Sequence, residues 1–200
     1  MRPLLLDFKR TIRAEQCRAH GARLARFHKW KVVSPCPVTA AVRHLKKLCM
    51  TLKKRGKHWY GDDQADIRVE LSRYSDLNGY PIDDFADVQC KCGNDEFYFF
   101  TDEDEGVAVR RCIKCGDEHM MGDSAEFAEH AEIGQHECNC EANVFQITVG
   151  VHRYRNQDDS LSNDVRWLYL GCRCSSCGLV GCYADWKNEY NGYEKLLAMM

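Results

Sequence analysis

Apolar positions along the chain change their period near residue 88. Ahead of that point, Val38, Val42, Leu45, Leu48, Cys49 and Leu52 recur at helical spacing behind the "SPCP" break at 34–37. Arg43, Lys46, Lys47, Lys53 and Lys54 fill the remaining faces, which predicts an amphipathic basic helix ending at Gly56. A second helix is expected from a cap at Asp62 or Asp63, with Ile67, Leu71 and Tyr74 on one face and "NGYP" at 78–81 as its stop. Residues 1–34 carry mixed signals: Leu4, Leu6 and Phe8 alternate as in a strand, whereas 19–27 suits a helix despite Gly21. After Asp87 alternation takes over. "EFYFF" and "VAVRR" flank the acidic turn "DEDEG", and "VFQITVGVHRY" and "VRWLYLG" flank "NQDDSLSND", which predicts two hairpins, each bracketed by cysteines.

Charge sharpens the division. Residues 1–60 hold 16 Lys and Arg against Asp7 and Glu15, whereas residues 61–200 hold 12 against 28 acids. A basic arm of this kind is suited to nucleic acid or another polyanion, and the acidic remainder repels phosphate. In the opening "MRPLLLDFKR" the apolar run Leu4 to Leu6 is too short for an export signal, and no stretch approaches the roughly 18 apolar residues of a membrane span. The expectation is a soluble, cytoplasmic protein whose 13 cysteines stay reduced, so that metal binding is their expected use.

The two bracketed hairpins repeat one unit. Cys90-Lys91-Cys92 is followed five positions on by Phe97, then a hairpin, then Cys112-x-x-Cys115-Gly116, with Asp123 eight positions past Cys115. Cys138-Asn139-Cys140 is followed five positions on by Phe145, then a longer hairpin, then Cys174-x-x-Cys177-Gly178, with Asp185 eight positions past Cys177. Zinc favours four thiolates in a tetrahedron, and short cysteine pairs at the open end of a hairpin supply them once the strands fold back. The expected ligands are Cys90, Cys92, Cys112 and Cys115 in one site and Cys138, Cys140, Cys174 and Cys177 in the other, with two Zn2+ per chain. At these residues the chain resembles the broad zinc-ribbon class, over about residues 88–190. Its first cysteine pairs depart from the common ribbon pattern by being Cys-x-Cys instead of Cys-x-x-Cys.

Alignment of the repeats places Cys172 opposite Arg110 and Cys182 opposite Met120, so both stand outside the shells. A rival scheme gathers Cys172, Cys174, Cys177 and Cys182 into one local site, at the cost of stranding Cys138 and Cys140. His119, His130, His136 and His152 read as surface or structural histidines, with His136 the one to check as an alternative ligand. Cys17, Cys36 and Cys49 read as packing cysteines. The acidic turn 102–105 and "GDD" at 61–63 read as solvated faces. Tyr98, Phe99, Tyr154, Trp167 and Tyr169 fit a half-buried sheet better than a base-stacking platform.

The expected fold class is α+β: a basic, helical N-terminal segment followed by two tandem zinc-ribbon hairpin units. The corresponding domains are a basic, partly helical segment at 1–60 whose first third is a candidate for disorder, a linker helix at 61–87, and ribbons at 88–135 and 136–200. His-Glu-x-x-His, the deaminase pattern, a phosphate loop and Gly-x-Ser-x-Gly are all absent. A non-enzymatic zinc-binding interaction module is therefore expected, with a protein partner for the ribbons and nucleic acid for residues 1–60. Two other classes remain open: an acidic inhibitor of the immunity type, directed at a basic toxin or nuclease, and a metal-dependent enzyme.

Overall fold

The computed structural model describes residues 52–200. The helix read from Val38 onward therefore lies almost wholly outside the described residues, as do the strand and helix signals of 1–34. Its predicted end is corrected: Lys53–Arg55 forms strand β1, which turns at Gly56 and pairs with β2, His58–Tyr60. Helix α1 runs Gln64–Asn78. The Asp63 side chain accepts the Asp66 N–H at its start, and Gly79 adopts the left-handed conformation at its end.

Eight more strands follow: β3 (Asp84–Asp87), β4 (Phe97–Asp102), β5 (Val107–Cys112), β6 (Glu118–Met120), β7 (Gly134–Gln135), β8 (Val144–Arg155), β9 (Leu161–Cys174) and β10 (Leu179–Lys187). A short helix α2 (Tyr193–Ala198) comes last. Among the described residues the protein is thus mostly antiparallel sheet, with few helices. None of these helices is long and apolar enough to cross a membrane.

All ten described strands belong to one sheet, along the path β1-β2-β10-β9-β8-β4-β5-β6, with β3 added to β8 and β7 added to β4. The two cysteine units meet at its middle, where Phe97 of β4 pairs with Phe145 of β8. These are corresponding residues of the repeat, so an approximate two-fold axis passes between them. The pairing on either side obeys it. Asp87 of β3 lies opposite Thr148 of β8, and Gln135 of β7 lies opposite Phe100 of β4. Shifting either pair by the 48 positions that separate Cys90 from Cys138 generates the other. Each unit therefore lends the strand ahead of its first cysteine to the hairpin of the other unit. The backbone bonds Val88 N to Ile147 O (3.0 Å) and His136 N to Phe99 O (2.9 Å) repeat the same exchange.

One face of the sheet carries the main core, in which Phe97, Phe99, Phe145, Ile147, Leu170 and Cys172 are sealed from solvent together with Leu196 of α2. Apolar burial on this scale is the main favourable contribution to folding. On the opposite face α1 lies over β8, β9 and β10 and buries Ile67 and Leu71 against Tyr169 and Val180. Its close approach depends on Gly171: a Cβ there would stand 2.6 Å from Ile67 Cγ2 and 2.7 Å from Leu71 Cδ1. Residues 61–87, read from the sequence as a linker helix, are thus built into the sheet through α1 and β3. Tyr74 Oη donates to Asp185 (2.9 Å), which also accepts from Trp167 Nε1 (2.9 Å), so α1 is tied to the sheet edge as well as packed on it.

Candidate metal centres

Each cysteine group is assembled from two tight turns. In the first turn of unit 1, Cys90 N donates to Asn94 O (2.8 Å) and Gly93 N donates to Cys90 O (2.8 Å). In unit 2, Cys138 N donates to Ala142 O and Glu141 N to Cys138 O, both at 2.8 Å. The turn needs a positive φ at its fourth residue. Gly93 supplies it at 82°, whereas Glu141 adopts 68° without a glycine's freedom. The second turn follows the same plan in both units. Gly116 N donates to Cys112 O (3.0 Å) and Gly178 N to Cys174 O (2.9 Å), and this closes each Cys-x-x-Cys-Gly loop.

These turns bring the eight predicted cysteines together as two separate groups of four, with the sulfurs of each group within 4.8 Å of one another. Cys90 Sγ lies 3.5 Å from Cys115 Sγ and Cys92 Sγ 3.6 Å from Cys112 Sγ. In the second group Cys138 to Cys177 is 3.6 Å and Cys140 to Cys174 is 3.7 Å. A tetrahedron of sulfurs at about 2.3 Å from zinc has edges of about 3.8 Å, so both shells have the size of a tetrathiolate zinc site. The Cys-x-Cys arm, the departure from the common ribbon spacing, brings both of its sulfurs into the group in each unit. Cys90, Cys112, Cys138 and Cys174 are buried while Cys92, Cys115, Cys140 and Cys177 reach solvent, in the same alternation in both units.

The electrostatics favour a cation at each centre. Burial opposes ionisation of Cys112, but the backbone N–H groups of Cys115 and Lys114 outweigh it and hold the thiol down to about 6. The Asp117 N–H favours the thiolate of Cys115, yet the sulfurs of Cys90 and Cys112 push it up to about 12. In unit 2 burial, reinforced by the Cys177 sulfur, pushes Cys138 up to about 12. The Ala142 N–H and the Cys177 sulfur hold Cys140 down to about 7. Four thiolates in so small a space repel one another, and a divalent ion at the centre relieves that repulsion. Each group can hold one zinc ion, which makes two per chain.

Cys172 and Cys182 join neither group. Cys172 is buried in the main core and Cys182 packs on the opposite face, under α1, so the rival local cluster does not form. The histidines also have other employment. His136 stacks on Phe99 (4.9 Å between ring centres), its Nε2 bonds Thr101 Oγ1 (2.7 Å), and burial lowers its pKa. His119 Nε2 bonds Met199 O and His152 Nδ1 bonds Pro81 O, while His130 is exposed. Of the aromatics weighed for base stacking, Phe99 and Tyr169 are fully buried, and Trp167 lies flat on Tyr80 at 4.6 Å. Asp102, in the acidic turn, accepts the N–H groups of Asp104, Glu105 and Glu132, a turn-closing role.

Besides β1 and β2, which lie where a helix end was expected, the sequence did not reveal β3, β6, β7 or β10. Strands β3, β6 and β7 are too short for alternation to register, and β10 is interrupted by a bulge between Cys182 and Ala184. Nor did it reveal the acidic groove of about 290 Å³ lined by Glu103, Asp104, Glu105, Asp123, Glu189 and Trp186, which draws residues from both units. No protein-family model, no curated protein and no solved structure matches this chain, so the reading rests on its own two four-cysteine groups: this is a protein built to hold two zinc ions.

Proposed function

We propose that the protein is a non-catalytic interaction module, a pair of zinc ribbons derived by internal duplication, in which zinc has a structural role. The observation that carries this reading is the closed donor set of both centres: four sulfurs each, of matching size, with no histidine or carboxylate among the described residues entering either group. A catalytic zinc keeps three protein ligands and one exchangeable position, commonly with His and a carboxylate in the set. His136 and the buried aromatic side chains serve packing, which also favours a scaffold over a reaction centre.

Within this reading the acidic part of the chain faces a protein partner. The basic residues 1–60 supply contacts to nucleic acid, for which phosphate neutralisation by Lys and Arg is the driving term. The test uses the full chain with cobalt in place of zinc. A tetrathiolate spectrum indifferent to pH near neutrality and to added anions is expected in both sites. An exchangeable, pH-dependent ligand in either site would move the protein to the metal-dependent enzymes. Gel-shift titration of the full chain against single- and double-stranded nucleic acid at several salt concentrations tests the second half, and salt-insensitive or absent binding removes it.

A further inference from the structure

The approximate two-fold axis allows each position of unit 2 to be compared with its counterpart in unit 1. One counterpart has no covering strand among the described residues. In unit 2 the outer edge of β10 is covered by β2, with Leu179 opposite Tyr60 and Val180 opposite Trp59, and with Gly61 N donating to Gly178 O (2.9 Å). Arg173 reinforces the seam by donating from Nε to Gly61 O (2.9 Å). The corresponding strand of unit 1 is β6, the last strand of the sheet path, and no described strand lies beyond it. Antiparallel alternation turns the main-chain groups of Glu118 and Met120 outward there. A Cβ on Gly178 would meet Gly61 O at 2.8 Å, whereas one on Gly116 would meet nothing within 4 Å. The side chain of Arg111, the counterpart of Arg173, is 48% exposed, and among the described residues its hydrogen bonds go to Glu118.

Beside this edge lies a groove of about 250 Å³ lined by Phe100, Val109, Arg111, Glu118, Met120 and Ile133. Met120 and Ile133 are 41% and 39% exposed, and four of the five exposed large apolar residues among those described (Ile113, Met120, Phe127 and Ile133) fall between Cys92 and Cys138. The same stretch holds 13 acids against Arg110, Arg111 and Lys114. The hairpin that covers the edge of unit 2 carries the complementary chemistry: Trp59 and Tyr60 on β2, the strand that pairs with β10, Lys57 in the turn, and Lys53, Lys54 and Arg55 on β1 behind it.

We propose that the free edge of β6 and its groove dock an extended, basic segment of a protein partner, with aromatic or apolar residues at alternate positions. Strand addition of this kind uses main-chain bonds for affinity and side-chain pockets for choice. A second copy of the chain is a poorer occupant, because antiparallel pairing of two β6 edges sets Asp117 and Glu118 near their own counterparts, and like charges across a ladder repel. The proposal rests on the interaction-module reading above and specifies its surface.

The probe is a labelled peptide of sequence LKKRGKHWYG, residues 52–61 of this chain, titrated into the zinc-loaded full-length protein and followed by fluorescence anisotropy. Saturable, salt-sensitive binding is expected. Met120→Pro removes an outward N–H that the sheet does not use, so it should leave zinc content and urea midpoint unchanged while weakening the peptide by about tenfold. Glu118→Gln is the second variant: it removes an edge carboxylate and should weaken the basic peptide and lower its salt dependence, which keeps the test decisive if the proline variant folds poorly. Absence of saturable binding, or parental affinity in a folded variant, overturns the proposal. A concentration-dependent dimer lost in Met120→Pro would also overturn it, in favour of a second copy. Failure here with an inert cobalt spectrum removes this surface alone, whereas an exchangeable cobalt ligand removes the wider reading.

Discussion

Units 1 and 2 share their turns, their sulfur geometry and the register in which they meet, yet they are not equally enclosed. In unit 2 the hairpin strands are 12 and 14 residues long, α1 lies across one face, and β2 seals the outer edge. In unit 1 both hairpin strands have six residues, the corresponding face is an open groove, and β6 has no described strand on its outer side. Position 171 shows how the difference arises. Gly171 admits α1 in unit 2, and its counterpart in unit 1 is Val109, whose side chain lines the groove and would stand in the way of so close an approach. A single repeated plan thus yields one unit enclosed by its own chain and one that leaves surface exposed. What distinguishes them is the covering, not the metal site.

The largest test of this comparison is to empty the sites one at a time. Structural zinc contributes on the order of 10 kcal/mol to the folding of small zinc domains. Cys112→Ser and Cys174→Ser should each reduce bound zinc from two to one per chain, as read by elemental analysis. The structural consequences should differ. The unit 1 site has no described helix over its outer face, so amide exchange over 107–120 should rise more in Cys112→Ser than exchange over the matching strands of unit 2 does in Cys174→Ser, while Phe97 and Phe99 stay held in the shared core. Loss of the unit 2 site should leave β8 and β9 protected by α1 and by the Phe97–Phe145 seam. Equal loss of protection in both variants would mean that the covering adds nothing.

A smaller effect is expected at the helix contact. Gly171→Ala forces α1 away from the sheet and should cost about 1–3 kcal/mol by overpacking, measured as a lower urea midpoint with unchanged zinc content. An unchanged midpoint would show that α1 is not closely seated. The smallest effect concerns the first turn. Glu141 carries the positive φ that Gly93 provides in unit 1, so Glu141→Gly should stabilise unit 2 by about 1 kcal/mol, whereas Gly93→Ala should destabilise unit 1 by a similar amount. Opposite signs at corresponding positions would confirm that the two turns follow one plan. Like signs would separate them.

Much of this molecule is local and therefore legible from its residues. The cap at Asp63, the stop at Gly79, the two long hairpins and the eight cysteines that meet in fours depend on spacing and turn chemistry within short stretches of chain, which composition and periodicity record. Setting Cys172 and Cys182 aside also followed from the repeat. The remainder depends on contacts between distant segments. That β3 pairs with unit 2 and β7 with unit 1 leaves no mark on strands of four and two residues. That Lys53–Arg55 is strand and not helix depends on an edge of β10 that lies more than a hundred positions away. Residue type and spacing by themselves determined which atoms can surround each zinc, because a tetrahedral sulfur shell tolerates few arrangements of short loops. Only tertiary structure decided which unit is covered and which is left open, because that choice depends on shape and main-chain edges that exist only after the sheet has assembled.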